Sequence, residues 1–167
     1  MAIPDELLDL AKAGLDAGEP EATLRRATSS AYYALFHLLV SAATENWETV
    51  QFRPLLGRVF EHGKMRSACE RLLRTNATQN KQRAGLPFDQ RTPADHIRIV
   101  AETFIQAQEL REIADCDMST TWNQSNTAVQ VEQVADAFRS WKAVREEPEA
   151  QKLLVMMLGP KQRASRT

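Results

Sequence analysis

Cysteine is scarce in this sequence. The 167 residues contain two, Cys69 and Cys116. Two are too few for a disulfide framework and too far apart for a zinc-binding spacing. Each lies beside apolar neighbours, and both are expected as small core residues. Histidine is nearly as sparse: His37, His62 and His96 stand far apart, and with the cysteines they make no recognisable metal site. No glycine-rich loop is present to cradle phosphates with backbone N–H groups. Ser29 and Ser30 lack any nucleophile-elbow context. No cofactor is therefore implied.

An excess of one charge sign is missing too. The formal net charge is −1 and the pI is near 6.3, so non-specific nucleic-acid binding by bulk charge is not implied. The longest apolar runs, residues 153–158 and 38–43, are too short to span a membrane. The first residues are acidic and amphipathic, unlike a signal peptide. A cytoplasmic location with no membrane partner is the expectation.

What is present is the composition of a globular domain: 43% apolar and 26% charged. A chain of this size buries roughly 70% of its unfolded surface, so one core suffices. Charge is uneven locally. Residues 1–21 carry six acids against Lys12 alone, a net −5, whereas residues 51–83 carry eight bases against Glu61 and Glu70, a net +6. That division suits a dimer contact or an anionic ligand; a solvated basic helix face produces the same pattern.

Helical periodicity runs throughout. Pro4 with Asp5 and Glu6 reads as a first turn, and Leu7, Leu10, Ala11 and Leu15 follow at helical spacing. Gly18-Glu19-Pro20 closes that element. Leu24, Ala27, Ala31, Leu35, Leu38 and Ala42 then mark a long central helix from Glu21 to about Trp47. A third stretch is predicted from about Pro54 to Leu73, with Gly63 as a break. Residues 75–91 read as a mobile loop. Thr92-Pro93-Ala94-Asp95 is a helix start, with Thr92 as N-cap and Asp95 able to answer it. The helix it opens carries Ile97, Val100, Ala101, Phe104, Ala107 and Ala114. Residues 117–127 form a loop, Val131 to Trp141 a fifth helix, and Pro148 opens a sixth. Residues 159–167 read as a basic tail. No strand alternation and no internal repeat is visible. The expected fold is all-α: a single up-and-down helical bundle of five to six helices over residues 1–158.

Three blocks carry a resemblance. Leu24-Arg25-Arg26-Ala27-Thr28-Ser29-Ser30-Ala31-Tyr32-Tyr33-Ala34-Leu35-Phe36-His37 is the first, Phe60-Glu61-His62-Gly63-Lys64-Met65 the second, and Leu110-Arg111-Glu112-Ile113-Ala114-Asp115-Cys116-Asp117 the third. Together, and in this order, they resemble the HEPN family (higher eukaryotes and prokaryotes nucleotide-binding domains), whose members often read "AYYALFH" and "LRxxADYD" at the first and third. Here Cys116 replaces the usual tyrosine of the third block. Read without the family, Tyr32, Tyr33 and Phe36 are core or dimer packing rather than a base-stacking platform. His37 is a satisfied, partly buried histidine rather than a catalytic one. Arg111 and Asp115, four apart, form a helix-face ion pair.

The resemblance implies an HEPN-like fold and a homodimer. It leaves two functions open. One is a non-catalytic module binding RNA, a nucleotide or a protein partner such as a cognate antitoxin. The other is a metal-independent endoribonuclease of toxin or phage-defence type, using an arginine and a histidine with four to six residues between them. Arginine would hold the phosphate and histidine would move the proton. One pair has that spacing, Arg91 and His96, flanking a helix start where a phosphate meets backbone N–H groups. The pair departs from the family's pattern, with Thr92 in place of the Asn or Asp usual after the arginine and Asp95 adding negative charge. A second set, Arg58 and His62 with Lys64 and Arg66, is expected as an RNA or anion contact, with Arg58 and His62 on one helix face.

Overall fold

The computed structural model describes residues 2–16, 19–75 and 82–159. Seven α-helices occur among them, and no strand: α1 Ile3–Ala13, α2 Glu21–Glu45, α3 Arg53–Gly57, α4 His62–Thr75, α5 Pro93–Cys116, α6 Gln124–Val144 and α7 Pro148–Leu158. None of the described helices is long and apolar enough to cross a membrane.

α2 is the central element. It packs against α1, α5, α6 and α3, while α4 packs between α5 and α7. The reason lies in its composition. Ala31, Ala34, Leu35 and Leu39 are fully buried, and Tyr32 with them. Such positions wrap around the helix rather than forming one stripe, as burial on several faces requires. Val100 and Phe104 of α5, Val134 and Trp141 of α6, and Leu153 and Met157 of α7 complete one continuous core. Each such side chain stabilises the fold by about 1.5–3 kcal/mol relative to exposure.

The helix ends show their causes. α1 stops at Gly14, earlier than Gly18-Glu19-Pro20; Gly18 lies outside the described residues. A Cβ at Gly14 would stand 3.0 Å from Ala27 Cβ, a tight contact, so the close α1–α2 crossing favours glycine there. α5 starts with a complete capping box: Asp95 N–H donates to Thr92 Oγ1 at 3.3 Å, and Thr92 N–H donates to Asp95 Oδ2 at 2.8 Å.

Two expectations need correction. The stretch from Pro54 to Leu73 is not one helix interrupted at Gly63. It divides into α3 and α4 across residues 58–61, which raises the helix count above six. Arg58 and Val59 N–H groups donate back three residues, to Leu55 and Leu56 carbonyls, tightening and ending α3. The turn lets Phe60 drop into the core. Cys116 is not a core residue either. It is the last residue of α5 and is exposed, whereas Cys69 is buried in α4.

The expected loop 75–91 lies partly outside the described residues. Its described part, 82–91, holds a short 3₁₀ turn, Phe88–Gln90. Residues 160–167 of the expected basic tail lie outside them as well.

Candidate functional site

Side chains from three distant stretches of chain meet beside α2. Tyr32 and Tyr33, with Phe36 and His37 one turn on, supply an aromatic ridge. Tyr32 is 0% exposed, and burial pushes its hydroxyl pKa well above the usual range, against the pull of Arg111. The hydroxyl therefore keeps its proton, and it shares a 2.5 Å hydrogen bond with His62 Nδ1. His62 opens α4, so the break before that helix aims its ring at α2. The ring stacks on Phe36, with centroids 4.3 Å apart and planes at 29°. Tyr33 meets it edge-on at 6.1 Å.

Arg111 of α5 covers this ridge. Its guanidinium carbon lies 5.2 Å from the Tyr32 ring centroid and 5.9 Å from that of Tyr33, which is cation–π distance. Its Nη1 is 3.9 Å from Asp115 Oδ2, the outer limit of an ion pair. Ser29 Oγ donates to the other carboxylate oxygen of Asp115. Arg111 Nε is buried and has no hydrogen-bond partner among the described residues. This is a cation held in place by rings, with an unspent donor.

The electrostatics follow. His62 is lowered from its ordinary pKa by burial, then by Arg111 and His37; His37 is lowered by burial. Two imidazoles lowered in this way leave Arg111 as the cation of the cluster, with Asp115 and Glu112 as the acids nearest it. Such a cation binds anions, and His62 Nε2 has no partner among the described residues.

The other expected set does not share one environment. Arg58 is exposed on the turn after α3, so the expected helix face with His62 does not form. Lys64 pairs with Glu61 at 2.7 Å. Arg66 pairs with Glu70 at 2.9 Å and Glu109 at 2.6 Å.

Arg91 and His96 do come together, around a residue no local signal marks. Ser140 of α6 accepts from Arg91 Nη1 at 3.2 Å and lies 3.1 Å from His96 Nδ1. Arg91 also pairs with Asp136 at 3.0 Å and donates to the Leu86 carbonyl at 3.0 Å. His96 is 5% exposed, edge-on to Phe88 at 4.8 Å. Burial first, and Arg91 second, lower its pKa. Arg83 holds Asp95 through both carboxylate oxygens, which keeps that acid ionised far below the ordinary range. The arginine–histidine pair is thus internally satisfied, with Asp136 where a phosphate would need to sit.

Among the described residues no group of three or more histidine, cysteine, aspartate or glutamate side chains is placed to hold a metal. No protein-family model, no curated protein and no solved structure matches the chain.

Proposed function

We propose that this chain is a dimeric, non-catalytic helical module of HEPN type that binds RNA or a nucleotide through a phosphate held at Arg111. One observation carries the reading. The three blocks behind the family resemblance are separated by 22 and 44 residues of sequence, yet Tyr32, Tyr33 and His37, then His62, then Arg111 and Asp115 assemble into one cluster. A buried guanidinium Nε without a partner at its centre supports an anionic ligand there.

The second copy follows from the resemblance. The surface we assign to it is the run of exposed Trp47, Val50, Phe52, Leu55 and Val59. Arg53 and Arg58 interleave this strip and oppose in sign the acids of α1. A cognate antitoxin-like protein remains the other partner implied by the family.

Binding is tested by anisotropy of a labelled single-stranded RNA across a salt series, with light scattering for the dimer. Wild type is expected to bind with a negative salt slope. Arg111→Gln is expected to lose about tenfold or more in affinity, as loss of a charge-assisted contact implies. Unchanged binding in that variant overturns the reading.

The alternative, a metal-independent endoribonuclease, is favoured by one observation: Arg91 and His96, at the family's spacing, meet at Ser140. Incubating a mixed RNA pool in EDTA with wild type, His96→Ala and His62→Ala separates the two. Cleavage by wild type that one variant abolishes establishes the nuclease and names its histidine.

A further inference from the structure

A cavity of about 360 Å³ opens between α5, α6 and the loop joining them. It belongs to a different face of α5 from Arg111. Leu110 and Ile113 line it, roughly 100° and 200° around the helix from residue 111. Its volume falls within the roughly 300–1,000 Å³ of small-molecule sites. No charged side chain lines it. Trp122 provides an aromatic wall, Leu110 and Ile113 apolar ones, and Gln106, Asn126 and Gln130 side-chain amides.

Gln130 is the informative member. It is 3% exposed, and its Nε2 donates to the Thr28 carbonyl at 3.4 Å, while its Oε1 has no partner among the described residues. Leaving an acceptor buried and unmatched is costly, and native proteins do so rarely. Gln130 lines the cavity, so a donor bound there would meet an unmatched acceptor.

The loop is held firmly enough to form a binding wall. Arg25 reaches across from α2, donating to the carbonyls of Ala114 and Asp117 at 3.0 Å each, and also to that of Thr120. The Arg25 guanidinium carbon lies 5.3 Å from the Trp122 ring centroid, and Trp122 Nε1–H donates to Thr28 Oγ1 at 2.9 Å. Both sides of the cavity are therefore anchored to α2 before any ligand arrives, which lowers the ordering cost of binding.

We infer that this cavity binds an uncharged planar heterocycle of nucleobase size, flat against Trp122, with an N–H of its edge donating to Gln130 Oε1. The absence of charge disfavours phosphate or carboxylate ligands there. Amides around an aromatic plate present both donors and acceptors, as a heterocycle's edge requires. A free base and a base unstacked from a single strand share this chemistry. The inference stands apart from the Arg111 cluster and does not depend on it.

The test is a proton–nitrogen NMR titration of the full chain with adenine, cytosine and uracil, with methyl glucoside as a sugar control and a short single-stranded oligonucleotide as a further arm. At least one base is expected to shift the Trp122 indole and Gln130 side-chain signals saturably. Gln130→Leu is expected to weaken binding by about tenfold. Ile113→Trp, at an exposed rim position where folding is not at stake, is expected to fill the cavity and abolish binding. A stronger response to the oligonucleotide identifies a base within a strand as the source, and a stronger response to the free base identifies a small metabolite. No saturable shift with any base, saturation by the sugar instead, or unchanged binding in both variants overturns the inference.

Discussion

Replacing Tyr32 with phenylalanine removes one oxygen from the middle of the cluster and leaves the ring in place. That oxygen shares a 2.5 Å hydrogen bond with His62 Nδ1, inside rings of Phe36, Tyr33 and Phe104. A net intramolecular hydrogen bond is worth about 0.5–1.5 kcal/mol, and a buried group left unpaired costs about 1–3 kcal/mol. His62 is only half-buried, so water relieves part of the second cost, and the sum is set at about 1–2 kcal/mol. For a chain of 167 residues that lowers Tm by roughly 2–8 °C. Urea unfolding is the assay, with an unchanged m-value showing that only stability moved. Tyr33→Phe is the control, because the Tyr33 hydroxyl makes no hydrogen bond among the described residues; it is expected to stay within about 0.5 kcal/mol of wild type. A double-mutant cycle of Tyr32→Phe with His62→Ala is expected to show coupling of about 1 kcal/mol. Additive losses, or a Tyr32→Phe protein as stable as wild type, would refute the geometry on which the candidate site rests.

Two further outcomes follow from the same structure. All three histidines sit below their ordinary pKa of 6.5, burial being the leading cause for each. The folded chain therefore binds fewer protons than the unfolded chain once the pH falls below about 6.5, and stability is lost there and not above. Asp95 acts with the same sign in a lower window: its depressed pKa contributes stability that is present above its ordinary 3.8 and lost as the pH falls below it. Urea curves at pH about 7.5 and about 5 thus isolate the histidines, and equal stability at both would contradict their burial. For the cysteines, a thiol reagent is expected to label exposed Cys116 in the native protein. Cys69, fully buried with its thiol pKa pushed up by burial, reacts only on unfolding. Equal labelling of both would place Cys69 outside the core.

Much of the fold was legible because its causes are local. Apolar spacing marks α2 and α6 regardless of what they touch, and the start of α5 is written in Thr92, Pro93 and Asp95. The same locality explains the misreadings. Leu55, Leu56, Val59, Ala68 and Cys69 look like one helical face, yet the chain breaks between them so that Phe60 can reach the core. Cys116 has apolar neighbours in sequence, but the end of α5 leaves it exposed.

By itself, then, the amino-acid sequence determined an all-α chain, a buried central helix, a capped α5 and a set of residues whose chemistry invited attention. Only tertiary structure decided which of those residues meet. His62 belongs with Tyr32 and Arg111 rather than with Arg58. Arg91 and His96 are closed off by Asp136 and Ser140, some 40 residues further along the chain. Gln130 reaches the Thr28 carbonyl through Nε2 while its Oε1 has no partner among the described residues. Helix periodicity is a property of neighbours three and four residues apart. A binding site is made by contacts between helices, and those depend on how every helix packs at once.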